Sequence, residues 1–334
     1  MSKNELVEKI HLGQVRCVIG THALLQDSLD LGIFSLVIVD EQHRFGVEQR
    51  HALMQTSDGP SPHLLSMSAT PIPRTLALTI YGDLELSVLN EMPPGRKPVA
   101  TAIVEESQRV GMWKHVREQI GQGRQVFVVC PLIDPSDKLG MKSVAQVARD
   151  LKKGALKDTR IETLHGRLKT DEKESTIEKF RSGKIDVLVS TTVVEVGVDI
   201  PNACVMVIMG AERFGLAQLH QLRGRVGRSA VQSYCYLLPE QVSSSSEARL
   251  RAMESTTDGF KLAQIDLELR GAGNVFGSAQ SGFPDFQLAT PADTELMKKA
   301  RDHATSVLSQ DPDFTHHPLI LERIERQFEI VHLE

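Results

Sequence analysis

The chain has 334 residues, of which 41% are apolar and 24% charged, the balance of a soluble globular protein of two or three domains. No apolar run approaches the roughly 18 residues of a membrane span, and the first thirteen residues lack the apolar core of a signal peptide. The four cysteines, Cys17, Cys130, Cys204 and Cys235, form no CxxC pair, which argues against a disulfide scaffold or zinc ribbon and for a reducing cytoplasm.

In chain order, 34–40 (Phe-Ser-Leu-Val-Ile-Val-Asp) is a β-rich run ending in acids, and 63–67 is a second short run. The runs 126–130, 186–190 and 205–208 follow the same pattern. Continuous rather than alternating Val/Ile/Leu predicts strands of a parallel sheet covered on both faces. Helices are predicted between them. One spans 108–120, with Val110, Trp113, Val116 and Ile120 at helical spacing. Another spans 170–181, opened by Thr170 as cap with acids in its first turn. Strand then helix, repeated, is the α/β pattern.

Three prolines and a glycine in 91–98 mark a linker. We therefore divide the chain into a first lobe at 1–90, the linker at 91–98, a second lobe at 99–240, and a helical region with a Gly-rich loop at 241–334. Charge follows these divisions. The first lobe and linker carry 8 basic and 11 acidic residues, 99–240 carries 21 and 17, and 241–334 carries 9 and 15. Only the second lobe is cationic, so a polyanion is sought there first.

Asp40-Glu41-Gln42-His43 directly follows the first run. Adjacent carboxylates at the carboxyl end of a parallel strand lie where α/β sheets place ligands. Such a pair can hold Mg²⁺ with one acid and orient an attacking water with the other. Ser68-Ala69-Thr70 ends the second run, and its hydroxyls can bond that pair. Ser190–Asp199 follows a third run, with hydroxyls and backbone N–H groups suited to phosphate. Gly20-Thr21-His22 and Leu164-His165-Gly166 are small polar turns at run ends.

Gln221-Leu-Arg-Gly-Arg-Val-Gly-Arg228 sets three arginines among two glycines. Arginine's planar fork binds phosphate oxygens bidentately and keeps its charge. Arg225 and Arg228, three apart, are expected on one side of a helical turn. No G-x-x-x-x-G-K-[ST] occurs, so the sequence contains no Walker-type phosphate loop.

In this order the blocks resemble superfamily 2 helicase motifs: 20–22 motif Ib, 40–43 motif II, 68–70 motif III, 164–166 motif IVa, 190–199 motif V and 221–228 motif VI. Longer stretches, 40–50, 68–77, 91–97, 129–133 and 211–221, narrow the resemblance to the RecG family of ATP-dependent DNA helicases, with parts shared by the transcription-repair coupling factor. The resemblance covers nearly the whole chain. It implies two RecA-like parallel-sheet lobes, the first incomplete at its N-terminal side, and a helical hairpin with a translocation loop. It implies that the wedge domain and Walker A loop lie upstream of Met1.

The resemblance further implies ATP and Mg²⁺ as cofactors. Catalytic roles fall on Asp40 (the Mg²⁺ ligand), Glu41, Gln221, Arg225 and Arg228, and nucleotide binding on His43, Gly197 and Asp199. Ser68 and Thr70 take motif coupling. DNA binding and translocation fall on Thr21, His22, His165, Gly166, Thr191, Thr192, Arg270 and Gln280. The implied partners are double-stranded and branched DNA, including forks and Holliday junctions, and single-strand-binding protein. The implied whole protein is a monomer that regresses forks and migrates branches in the cytoplasm.

The sequence departs from the family pattern at Ala272, where Pro is usual, at Ala279, where Arg is usual, and at Met209-Gly210, which replaces a Glu-His pair. Without a phosphate loop the chain alone is expected to hydrolyse little ATP. The alternative readings are an RNA helicase, a coupling-factor-like translocase, and a non-catalytic DNA-binding fragment that keeps the motor fold.

Overall fold

The computed structural model describes residues 3–21, 24, 34–41, 62–68, 85, 87–89, 91–131, 140–191, 200–270 and 294–331. Two compact units are present, Met1–Pro71 and Ile72–Glu334.

The first unit contains α1 (Lys3–His11), β1 (Leu36–Val39) and β2 (His63–Ser66). The strands pair in parallel, Leu36 with His63 through Val39 with Ser66. β1 alternates in burial. Val37 and Val39 are buried, whereas Leu36 is 53% and Ile38 56% exposed. The expectation of cover on both faces therefore fails for β1, because the continuous apolar run has only one buried side.

The second unit is built on a six-stranded sheet in the order β3-β8-β7-β4-β6-β5, with every pairing parallel. Its strands are β3 (Ala100–Ile103), β4 (Gln125–Val129), β5 (Ile161–Leu164), β6 (Val187–Ser190), β7 (Ala203–Met209) and β8 (Tyr234–Leu238). Its helices are α2 (Arg109–Gly121), α3 (Gly140–Lys153), α4 (Thr170–Arg181), α5 (Leu216–Arg223), α6 (Ser244–Ser255), α7 (Gly259–Arg270), α8 (Thr294–Gln310) and α9 (Pro318–Val331).

Here the reading of double burial holds. Every residue of β4 and β6 is buried, as are six of the seven in β7. Successive side chains enter opposite cores, because a strand alternates faces at every residue. Val126, Val128, Val187, Val189, Val205 and Val207 pack with Met112 and Val116 of α2 and with Val144, Ala148 and Leu151 of α3. Phe127, Val129, Leu188, Met206 and Ile208 pack with Phe180 of α4, Leu216, Leu219 and Leu222 of α5, and Leu250 and Met253 of α6. Phe127 and Phe180 meet edge to face with centroids 5.0 Å apart. Large rings buried in this way dominate core energetics.

Two local expectations are corrected. Val110 is 80% exposed, and the buried residues of α2 are Met112, Val116 and Gln119. Trp113, Val116 and Ile120 pack against the core as expected, joined by Met112 four residues before Val116, and Val110 alone of the predicted stripe faces outward. α4 is capped by Lys169 rather than Thr170, and the Lys169 N–H donates to Glu172 at 3.1 Å. The acid three residues on supplies the cap that the lysine side chain cannot.

The second unit's buried polar groups are paired at the strand starts. Gln125 donates from Nε2 to the carbonyls of Phe180 (2.5 Å) and Ile185 (2.7 Å). Asn202 donates to the Gly123 carbonyl at 2.8 Å and to Gln125 Oε1 at 3.3 Å. Arg160 and Asp186 join neighbouring turns through a forked pair, with Nε at 3.0 Å and Nη2 at 2.5 Å. That pair holds the Asp186 carboxyl below the usual carboxylate range.

Candidate functional site

In the first unit, β1 delivers Asp40 and Glu41 from its carboxyl end, and β2 delivers Ser68 from the neighbouring strand end. The Glu41 N–H donates to Asp40 Oδ1 at 2.8 Å. Glu41 has φ +52°, in the left-handed region that non-glycine residues rarely enter. Strain of this kind costs about 1–3 kcal/mol and persists at sites where function fixes the backbone. The Asp40 side chain is exposed. A hard carboxylate oxygen at such a strand end fits Mg²⁺, which takes one or two carboxylates and keeps several waters. Thr21 is exposed and accepts the Leu24 N–H at its carbonyl, 2.9 Å away.

In the second unit, the carboxyl ends of β5 and β6 bring His165, Gly166 and Thr191 together. Leu164 pairs with Ser190, so His165 and Thr191 leave adjacent strands, and the Thr191 N–H points to the Leu164 carbonyl at 3.4 Å. Among the described residues, three buried polar atoms at this edge have no hydrogen-bond partner: His165 Nδ1, Ser190 Oγ and Thr191 Oγ1. Buried polar atoms are nearly always paired, so a group of three makes this strand end a candidate place for a ligand or bound water. Lys173 closes the turn by donating to the Gly166 carbonyl at 2.8 Å.

The third element is the segment after β7. Gln221 lies on α5, which ends at Arg223 with Gly224 as its cap. Arg225 sits in the following turn, and Arg228 lies beyond Gly227. The two arginines therefore do not share one side of a helical turn, because Gly227 has φ +77° and reverses the chain between them. A Cβ at Gly227 would stand 2.7 Å from Val99 Cγ2, so glycine is required both for its conformation and for this close approach.

The third arginine of the block carries a role that the sequence did not reveal. Arg223 is 3% exposed and donates from Nη1 to the carbonyls of Met253 (2.9 Å) and Thr256 (2.8 Å) at the end of α6. Its Nη2 meets His220 Nδ1 at 2.9 Å. Burial, and then the Arg223 charge, push the His220 pKa down to about 4. His220 is thus neutral and accepts. The arginine ties the Gln221–Arg228 segment to the helical pair α6–α7. Nothing in the local pattern separates Arg223 from its neighbours, since burial is decided by a helix thirty residues away.

Arg270 closes α7. His22, His43, Thr70, Thr192, Gly197, Asp199, Ala272, Ala279 and Gln280 lie outside the described residues. Among the described residues no group of three His, Cys, Asp or Glu side chains could hold a metal ion, and no helix is long and apolar enough to cross a membrane.

Three protein families match successive parts of the chain: DEAD/DEAH box helicase at residues 1–79, Helicase conserved C-terminal domain at 111–230, and ATP-dependent DNA helicase RecG, domain 3, C-terminal, at 256–326. An ATP-dependent DNA helicase RecG of Synechocystis is 46% identical over 98% of this chain and 39% of its own length. The Bacillus subtilis protein of the same name is 45% identical over 92% of this chain and 45% of its own. The chain thus spans less than half the length of these relatives.

A solved structure of RecG bound to a three-way DNA junction has 42% identity and a TM-score of 0.67, covering 88% of this chain and 38% of that one. Mss116p bound to single-stranded RNA and AMP-PNP, at 17% identity and a TM-score of 0.52, shares the fold.

Proposed function

The chain matches the C-terminal part of the RecG helicases over nearly its whole length, and on that premise we propose that it is the motor of an ATP-dependent translocase on branched DNA. The work of such a motor is fork regression and branch migration in recombination and repair. The observation that carries the reading is the strained strand end at Asp40-Glu41, a carboxylate pair held ready beside a parallel strand. Asp40 supplies an oxygen to Mg²⁺, whose chemistry is to neutralise charge on the phosphates. Glu41 orients the attacking water.

Arg225 and Arg228 supply bidentate charge to the transferred phosphoryl group, and Gln221 reads the γ-phosphate. His43, Gly197 and Asp199 complete the nucleotide contacts. Ser68 and Thr70 relay the state of the acidic pair. On the DNA side, His165, Gly166, Thr191 and Thr192 take the backbone at the β5–β6 edge, where three polar atoms lack partners among the described residues. Thr21, His22, Arg270 and Gln280 act with them, and Arg223 passes movement of the arginine segment to α6. The partners are double-stranded and branched DNA and single-strand-binding protein, and the whole protein is a cytoplasmic monomer.

The test is ATP hydrolysis with and without three-way DNA, on residues 1–334 and on a version extended upstream to the length of the relatives. The extended protein should turn over in a DNA-stimulated way, and Asp40→Asn, Glu41→Gln or Arg228→Ala should each lower the rate by about 10²-fold or more. The short chain should turn over little, since no Walker-type loop lies within it. Robust hydrolysis by 1–334, or a normal rate in Asp40→Asn, would overturn the assignment.

A further inference from the structure

The positive charge of the second lobe is not where the motif residues His165 and Thr191 lie. It gathers at the amino ends of the strands, opposite their carboxyl ends, in the turns that lead into β4, β5 and β6. The stretches 121–124, 152–160 and 179–186 carry eight cations and two carboxylates, a net of +6. The whole of 99–240 has an excess of only +4, so the rest of the lobe is net negative.

Three cations are already engaged: Arg160 with Asp186, Arg181 with Glu178, and Arg124 with Gln119. Lys152, Lys153, Lys157, Lys179 and Lys184 are exposed, and among the described residues none of the five ammonium groups has an ion-pair or hydrogen-bond partner. Of the nearby acids on the preceding helices, Glu178 is paired with Arg181, whereas Asp150 is bonded by the neutral Gln146 amide, so Asp150 and Asp158 are the charges that oppose the five lysines.

Helix ends explain part of this. Lys152 and Lys153 close α3, and Lys179 lies in the last turn of α4, where cations complement the helix carbonyls. Lys157 and Lys184 lie beyond the helices, so that account does not reach them. The three turns form one rigid platform. Gln125 bonds the carbonyls of Phe180 and Ile185, the Arg160–Asp186 fork joins the second turn to the third, and Asn202 bonds the carbonyl of Gly123.

We propose that this lysine edge is a second DNA-binding surface, which takes the sugar-phosphate backbone of a duplex segment separate from the one at His165 and Thr191. Lysine is a compact point charge on a flexible stem, suited to phosphate contact without base recognition. The surrounding residues Gly121, Gln122, Gly123, Gly154, Ser182 and Gly183 are small or polar. They offer no aromatic platform for an unpaired base and no apolar pocket to anchor an acidic peptide. A branched substrate has several duplex arms, so a motor holding one arm at its motif edge has others within its reach. The inference rests on the reading that the chain acts on DNA.

The test is binding of 1–334 to a blunt 30-base-pair duplex as a function of salt, for the wild type, for a variant with all five lysines changed to Gln, for one with all five changed to Arg, and for His165→Ala/Thr191→Val. Each neutralised phosphate contributes about 0.9 to the slope of log affinity against log salt, so loss of five contacts should flatten the slope by about 4.5. That corresponds to removal of roughly 500-fold in the affinity lost between 50 and 200 mM salt. The Arg variant should keep the wild-type slope, and the Gln variant should stay folded in a cooperative melt, lowered at most modestly by loss of the three helix-end cations.

An unchanged slope in the Gln variant, with His165→Ala/Thr191→Val weakened, would overturn the inference and leave the DNA reading standing. No binding by the wild type would overturn both. Equal binding of polyglutamate, lost in the Gln variant, would show a site for acidic protein and overturn the DNA assignment.

Discussion

The two sheets of this chain begin from similar sequence and end in different environments. Leu36–Val39 is apolar throughout and is followed by Asp40, and Val187–Ser190 is apolar up to its final serine. In β6 every residue is buried between two helical layers, whereas in β1 alternate residues face outward. A run of Val, Ile and Leu thus records what a strand tolerates, and the helices on either side decide whether both faces are used. The contrast also separates two kinds of site. The six-stranded sheet holds its edges by buried hydrogen bonds, while the two-stranded sheet presents Asp40 and Glu41 on strained backbone.

This contrast is open to measurement. Phe180→Ala removes a fully buried ring between α4 and β4 and should cost about 3–5 kcal/mol in urea unfolding, whereas Leu65→Ala, at 48% exposure in β2, should cost less than about 0.5. Equal losses would show that the two sheets are packed alike. A smaller effect comes from His220. Its folded pKa of about 4 lies below the ordinary 6.5, so the folded state resists protonation. The stabilisation is complete above pH 6.5 and is lost as pH falls toward 4, on the order of 2–3 kcal/mol. His220→Asn should remove that part of the pH dependence, as followed by thermal melting from pH 7 to pH 4. The smallest effect concerns Glu41. Glu41→Gly relieves the φ of +52° and should stabilise the first unit by about 1 kcal/mol. A destabilised variant would show that the Glu41 side chain, not the backbone, holds the strand end.

Much of this was legible in the sequence. The runs at 126–130, 186–190 and 205–208 are strands covered on both faces, as their composition indicates, and the proline-rich 91–98 segment precedes β3. Less was legible where the partner is distant. Ala100-Thr-Ala-Ile103 has little strand character of its own and becomes β3 by pairing with Tyr234–Leu237. Arg225 and Arg228 were separable from a helix only through Gly227, whose positive φ and close approach to Val99 the linear pattern does not display. Arg223 is indistinguishable from its neighbours until α6 packs over it. The lysine edge is invisible in the net charge of −5 and emerges when the topology brings three turns together.

The strand order has a consequence for biosynthesis. β3, the first strand of the large sheet to leave the ribosome, pairs among the described strands only with β8, the last, some 130 residues later in the chain. β4 likewise waits, first for β6 and then for β7, before both of its sides are closed. Such long-range parallel pairing folds slowly and leaves strand edges open during translation. Completion of this sheet therefore depends on emergence of Tyr234–Leu238, and a ribosome stalled before that point would hold a chain whose first strand has no partner.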